Sequence, residues 1–408
     1  MIRSKFLLQP WLLGLLLTLA QLAMAVFLLA PEGPFSFRYE SLVQHDGFWF
    51  ENIVDRGYQT IVPPINHKVM EISNVAFFPA YPVLASVIQS MLRIDTEAAL
   101  PLAAQLAAWG FWTYFFLFCE RWKISGALRL FGAFAIAAHP AAFFLIAGYS
   151  ESLFLFALLG FIYWTGTDGR AAKIWAALHG MLMSATRIVG LPCAAFPVIR
   201  SVFTKGWSSL RDPRRWLQNY GSAAAVTIAA MFGALAFFVY CQVRWGRWDM
   251  YMLTQEAGWN IEPDYLAVFR PSNYRWLLPE LNDPTEMSQM AMTIGALLLI
   301  AIAIVELVPA IRRVTEWQKR AGIYFCAAVI YYVSVSGVAS LDMESMLRYE
   351  FCLHALIVLA FLHFLRQLRL PPLPVRALGE AVAVIACAVS LSVQVWYIWN
   401  FTRGNWVA

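Results

Sequence analysis

His45-Asp46-Gly47-Phe48-Trp49-Phe50-Glu51-Asn52-Ile53 interrupts a chain that is otherwise mostly lipid-soluble. The stretch follows the first apolar run and mixes acids, aromatics and one glycine. An acid in that place stands at the water edge of a membrane, where a lipid-borne substrate presents its headgroup. Trp49, Phe50, Ile53 and Val54 recur at helical spacing, which predicts a short helix lying on the interface with Asp46 near its start. A carboxylate is favoured there by the helix dipole. The same residue could do no more than cap the helix.

The rest of the sequence supplies the membrane. Of 408 residues, 60% are hydrophobic and 13% charged, with a mean hydropathy of +0.60. A soluble domain carries about 25% charged residues. A membrane-spanning helix needs about 20 apolar residues. Runs of that kind occupy 6–30, 75–92, 98–118, 128–147, 152–164, 174–199, 220–243, 289–311, 321–337, 351–365 and 378–399. They predict an all-α polytopic bundle forming one domain over 1–408. The first run has a basic start and an Ala23-Met24-Ala25 sequence resembling a cleavage site. Its apolar stretch exceeds the ~7–15 residues of a signal peptide, so it reads as a retained span. The six cysteines are scattered through apolar runs, with neither a disulfide framework nor a zinc spacing.

Charge sets the orientation. If every run crossed once, the basic loop 121–129 would fall outside, against the positive-inside rule. Two irregular segments remove the conflict. Run 75–92 opens with Phe77-Phe78-Pro79-Ala80-Tyr81-Pro82 and reads as a helix that dips into the outer leaflet and returns. Run 174–199 has basic flanks on both sides, so it must cross twice, as two short helices meeting near Arg187. Eleven spans result, with the N-terminus inside and the C-terminus outside. On this topology 19 Lys and Arg lie inside and 11 outside, against 4 inner and 19 outer acids. The net charge of +5 is then a product of topology, not a nucleic-acid signal. Two large outer segments, 31–97 and 244–288, carry acids and aromatics, so function is expected on the outer face.

Several motifs lie on that face. Tyr149-Ser150-Glu151-Ser152 sits at the mouth of a span, where Tyr149 and Glu151 suit a sugar and Ser150 equally suits a helix cap. Thr186-Arg187 places a charge in an apolar segment, which marks a functional site by default. The Arg187 guanidinium suits a phosphate and also a structural ion pair. Trp245-Gly246, Gln255 and Trp259 open the second outer segment, as binding residues or as interfacial anchors. Arg348-Tyr349 adds a second arginine at the outer boundary, where snorkelling is the plainer reading.

These motifs, in this order, resemble the GPI mannosyltransferase II (PIG-V-like) family of GT-C-class membrane glycosyltransferases. The match runs from Asp46, Trp49 and Gly57-Tyr58 through the Phe-Phe-Pro string with Tyr81 and through Pro140. It continues in Tyr149–Phe154, Thr186-Arg187 with Gly190-Leu191, Trp245-Gly246, Gln255 and Arg348-Tyr349. Where the family pattern has tryptophan before the aspartate, this chain has His45. The resemblance implies a GT-C-like bundle and a polyprenyl-phosphate sugar donor, with mannose as the sugar. It implies Asp46 as general base, Arg187 and Arg348 at the donor phosphate, and a lipid or glycan acceptor. The short loops point to a bacterial member in the inner membrane, working on the periplasmic side; in a eukaryote the endoplasmic reticulum would be the place. Glu71 or His67 could assist Asp46. The sequence assigns no cofactor and leaves room for a divalent cation. Two other classes stay open. A transporter or lipid flippase would suit eleven spans with broken helices. A membrane O-acyltransferase would need an intramembrane histidine, for which His179 and His354 are candidates.

Overall fold

A computed structural model describes residues 9–60, 73–205, 216–309, 311, 316–367 and 373–407. Among them every regular element is helical. Seven helices are long and apolar enough to cross a membrane by length and composition: Pro10–Leu29, Thr96–Arg121, Trp216–Trp245, Pro284–Leu307, Ala321–Leu341, Met346–Gln367 and Ala377–Phe401. The remaining expected crossings fall on shorter helices. The chain is thus a polytopic α-helical membrane protein.

In chain order the helices that position the site are α1 (Pro10–Ala23), α2 (Phe35–Glu40), α3 (Asp46–Arg56), α4 (Ala80–Leu92), α5 (Thr96–Arg121), α6 (Gly126–Ala137), α7 (Glu151–Thr165), α8 (Arg170–Thr186), α9 (Gly190–Cys193), α10 (Phe196–Lys205), α11 (Trp216–Trp245), α12 (Met250–Trp259), α13 (Pro284–Leu307), α14 (Ala321–Val338), α15 (Met346–Gln367) and α16 (Leu373–Phe401). Run 128–147 is not one helix. It ends as α6 at Ala137, and a 3-10 turn, Ala142–Leu145, follows, because Pro140 lacks the N–H that would continue the ladder.

The break in run 174–199 falls on Arg187. That residue caps α8 in an extended conformation (φ −152°, ψ 146°). The chain then folds back so tightly that a Cβ on Gly190 would meet the Met183 carbonyl oxygen at 2.5 Å. Only glycine fits there. Small residues also bring α8 and α11 together, as expected where lipid gives no hydrophobic drive to helix association. A Cβ on Gly233 would lie 2.0 Å from the Met181 carbonyl oxygen. Ser184 Oγ donates to the Ala230 carbonyl oxygen at 2.6 Å across the same seam.

The core runs along α5, α7 and α15, filled by Trp112, Phe115, Phe116, Phe154 and Leu356. The apolar side chains left exposed line the outside of the bundle, such as Ile228, Phe232 and Val239 on α11 and Leu297, Ile300 and Ile304 on α13. At the far end of α15 from Arg348, the fully buried Arg320 is held by Glu306, Tyr324, His363 and Gln367. A buried cation needs such a set of acceptors.

Candidate active site

The stretch around His45 forms α3, with Trp49, Phe50, Asn52 and Ile53 on its buried side. His45 precedes the helix with φ 49° and ψ −108°, a region that non-glycine residues rarely enter. Its ring packs edge-on against Trp406, 4.9 Å between centroids, and burial lowers its pKa. The turn delivers Asp46 as the first residue of α3. Asp46 makes no capping bond; its Oδ2 accepts from Arg348 Nη1 at 2.5 Å. One turn further on, Glu51 faces away from this contact. Burial, then the neighbouring Glu97 and Asp55 carboxylates, pushes its pKa up to about 7.

Arg348 lies in the first turn of α15 and its side chain is 6% exposed. Its guanidinium stands over three rings, Tyr149 at 5.2 Å, Tyr349 at 5.3 Å and Phe144 at 5.7 Å. Its Nε also lies 3.3 Å from Glu151 Oε1. That same oxygen accepts from Arg187 Nη1 at 2.6 Å. Arg187 in turn lies over Tyr349, 4.8 Å from the ring centre. Glu151 begins α7 and its side chain is only 1% exposed. Ser150 holds the cap position before it without a side-chain capping bond. Two carboxylates from two helix N-termini and two arginines therefore share one cluster. Three of its polar atoms, Tyr149 Oη, Glu151 Oε2 and Arg348 Nε, are buried without a hydrogen-bond partner.

The cluster lines a cavity of about 690 Å³. Asp46, Tyr149, Glu151, Arg187, Gln255, Arg348 and Tyr349 all line it. The lining also holds the apolar Ile188, Val189, Ile330, Val333 and Val338, together with two further carboxylates, Glu256 and Glu262. Trp49, Tyr58, Tyr81, Trp245 and Trp259 stand outside the lining and build its supports. Trp49 stacks on Phe77 at 6.1 Å and meets Trp259 edge-on at 5.4 Å. Tyr58 donates to the Phe77 carbonyl oxygen at 2.7 Å. Tyr81 is fully buried and donates to the Leu100 carbonyl oxygen at 2.7 Å. Trp245 packs on Tyr240. Glu71 and His67 lie outside the described residues. Tyr332 and Cys352 line the cavity and carried no motif of their own; Tyr251, which also lines it, closes the string 245–251 that opens the second outer segment.

A second polar set lies near the N-terminal end of α15. Glu350 and His354, four residues apart on one helical face, meet His139 from the end of α6. Their ligand atoms lie within 4.8 Å of one another, and two imidazoles with a carboxylate can hold a divalent metal ion. His139 Nε2 is 2.8 Å from Glu350 Oε2. The Ala141 N–H donates to His139 Nδ1 at 3.2 Å, which leaves the proton of the neutral ring on Nε2, pointing at Glu350. A cation would have to displace that arrangement. The i, i+4 spacing of Glu350 and His354 was visible in the sequence; their meeting with His139 was not. His179 is engaged at both nitrogens, by Tyr114 Oη at 2.9 Å and the Trp175 carbonyl oxygen at 2.8 Å, and offers no free atom to an acyl transfer.

No protein-family profile matches the chain. No curated protein matches it either. Solved structures do. The crystal structure of ArnT from Cupriavidus metallidurans bound to undecaprenyl phosphate matches with a TM-score of 0.56 at 12% identity, covering 96% of this chain and 76% of that one. The same protein in its apo state matches with a TM-score of 0.51 at 12% identity, covering 99% and 77%. The chain therefore shares its helical fold with ArnT.

Proposed function

We propose that this chain is an inverting glycosyltransferase that moves a sugar, mannose in the family reading, from a polyprenyl-phosphate donor to a hydroxyl acceptor on the outer membrane face. The observation that carries the reading is the cluster of Asp46, Glu151, Arg187 and Arg348 in the lining of a cavity whose surface is mostly apolar. Such a cavity suits a molecule with a phosphate head and a prenyl tail. The fold likeness to a structure holding undecaprenyl phosphate supports the same donor class.

The chemistry follows from the residues. Asp46 takes the proton of the acceptor hydroxyl, whose oxygen attacks the anomeric carbon from the face opposite the phosphate. The bond from that carbon to the phosphate oxygen breaks, and its electron pair stays on the leaving phosphate. Arg187 and Arg348 hold the charge that develops there. A phosphate leaves without a general acid, so one carboxylate base suffices. Tyr149, Gln255 and Tyr349 line the space for the sugar. His139, Glu350 and His354 lie outside this lining, and no step runs through a metal.

In this reading residues 1–408 form one domain, outer segments 31–97 and 244–288 make its active-site face, and the protein resides in a bacterial inner membrane with that face in the periplasm. Eleven crossings, with residues 75–92 returning to the outer side, place Arg93 outside. A cysteine at position 93 is expected to react with impermeant reagent from that side; labelling from the cytoplasm alone would reject the arrangement. The function is tested by incubating purified protein with polyprenyl-phosphate sugars and acceptor extracts. Donor-dependent sugar transfer supports it. Donor that stays unconsumed with every acceptor, or that is carried across vesicles intact, refutes it.

A further inference from the structure

The two carboxylates of the cluster are bound differently. Glu151 is fully buried, starts α7, and through Oε1 alone reaches both Arg187 and Arg348. Among the described residues neither arginine has another carboxylate in reach except Asp46, which pairs with Arg348 alone. The Asp46 side chain is 22% exposed and faces the cavity. Below both guanidiniums lies the Tyr349 ring. Glu151 and Tyr349 thus fix the two cations as a pair, whether or not Asp46 is present. Asp46 occupies Nη1 of Arg348, and both residues line the cavity.

That position is a problem for a general base. A carboxylate that gives its lone pair to a guanidinium has less of it to offer a hydroxyl. It is also where an entering phosphate would seek a charged donor.

Resting on the donor class proposed above, we propose that the donor phosphate exchanges with Asp46 for Arg348, so that donor binding itself frees the base, and that Glu151 is the positioning residue that keeps both arginines in place during the exchange. Binding is then ordered, donor before acceptor. With an empty donor site the base stays masked by Arg348.

Two residues of equal charge should have opposite effects, and this separates exchange from plain electrostatics. Undecaprenyl phosphate is titrated into detergent-solubilised protein. Asp46→Asn is expected to bind it roughly three- to tenfold more tightly than wild type, because a partly exposed ion-pair partner no longer competes. Asp46→Ala makes the same comparison should the amide fail to fold. Glu151→Gln is expected to bind about tenfold more weakly, since the arginines lose their anchor. Glu151→Asp retains the charge but shortens the reach, and is also expected to weaken binding. If both Asp46→Asn and Glu151→Gln tighten binding, the carboxylates act only as repelling charges and the positioning role falls. If Asp46 variants bind no more tightly than wild type, the exchange is wrong while the donor class stands. If wild type itself binds no undecaprenyl phosphate, both this inference and the donor class fail.

Discussion

Glu350 Oε2 and His139 Nε2 meet at 2.8 Å across 211 residues of sequence, joining the first turns of α15 to the chain just beyond α6. Gln394 from α16 donates to the His139 carbonyl oxygen at 2.7 Å and to that of Ala137 at 2.9 Å. Three helices are thus bound at the one place where Pro140 ends a helix early. Arg348, two residues before Glu350, inherits its position from this joint. Glu350→Ala leaves the buried imidazole without its acceptor, a loss of about 1–3 kcal/mol. A lowered melting temperature, measured with chelator present, checks this; an unchanged one would show that the joint carries no load.

Asp46→Asn keeps the shape of the side chain and removes the proton acceptor. Sugar transfer is expected to fall by about 10²–10⁴-fold with the melting temperature nearly unchanged, since the contact with Arg348 is partly exposed. Turnover near that of wild type would move the base elsewhere.

Arg187→Lys keeps the charge and loses the planar fork. Donor use is expected to weaken, and to weaken more in Arg187→Ala, by about 1.5–3 kcal/mol or ten- to a hundredfold. Because Arg187 also pairs with Glu151, binding and melting must be measured together. An Arg187→Ala protein that binds donor normally but melts early would make the residue a structural ion-pair partner only.

Glu51 gives stability a pH dependence. Its folded pKa of about 7 lies above the ordinary glutamate range, so the folded state holds the proton more tightly than the unfolded state. The stabilisation is complete below the unfolded value of about 4.3 and is lost as pH rises through 7. Glu51→Gln keeps a neutral side chain at every pH. It is expected to melt later than wild type at pH 8, by on the order of 1 kcal/mol, and to match it near pH 4. Equal melting at both pH values would show that Glu51 ionises freely in the folded protein.

The sequence made some of this legible. Basic flanks on both sides of run 174–199 required a break, and the break falls at Arg187. The apolar spacing in residues 49–54 required an interfacial helix, and α3 begins at Asp46. Other parts left no local trace. Arg348 and Asp46 are 302 residues apart, and nothing in the spacing of either pairs them. Aromatic residues near a site do not declare which way they face. Trp49, Tyr58 and Tyr81 all support the cavity from behind, because a ring at the interface gains as much from stacking on Phe77, or from reaching a backbone carbonyl, as from lining a pocket. The capping alternatives for Asp46 and Ser150 rested on residue type. In the fold Asp46 goes to an arginine and Ser150 makes no capping bond.

The balance of two carboxylates against two guanidiniums has an electrical consequence. Formally, the resting cluster of Asp46, Glu151, Arg187 and Arg348 carries no net charge. Moving one elementary charge across a membrane potential of 100 mV is worth about 2.3 kcal/mol, so a charged cluster that shifted during turnover would gear the protein to the energy state of the cell. On the proposed placement at the outer mouth, with the donor phosphate replacing Asp46 on Arg348, charge moves within one cluster and not across the bilayer. Turnover is therefore expected to depend little on membrane voltage and to be driven by the phosphate bond of the donor.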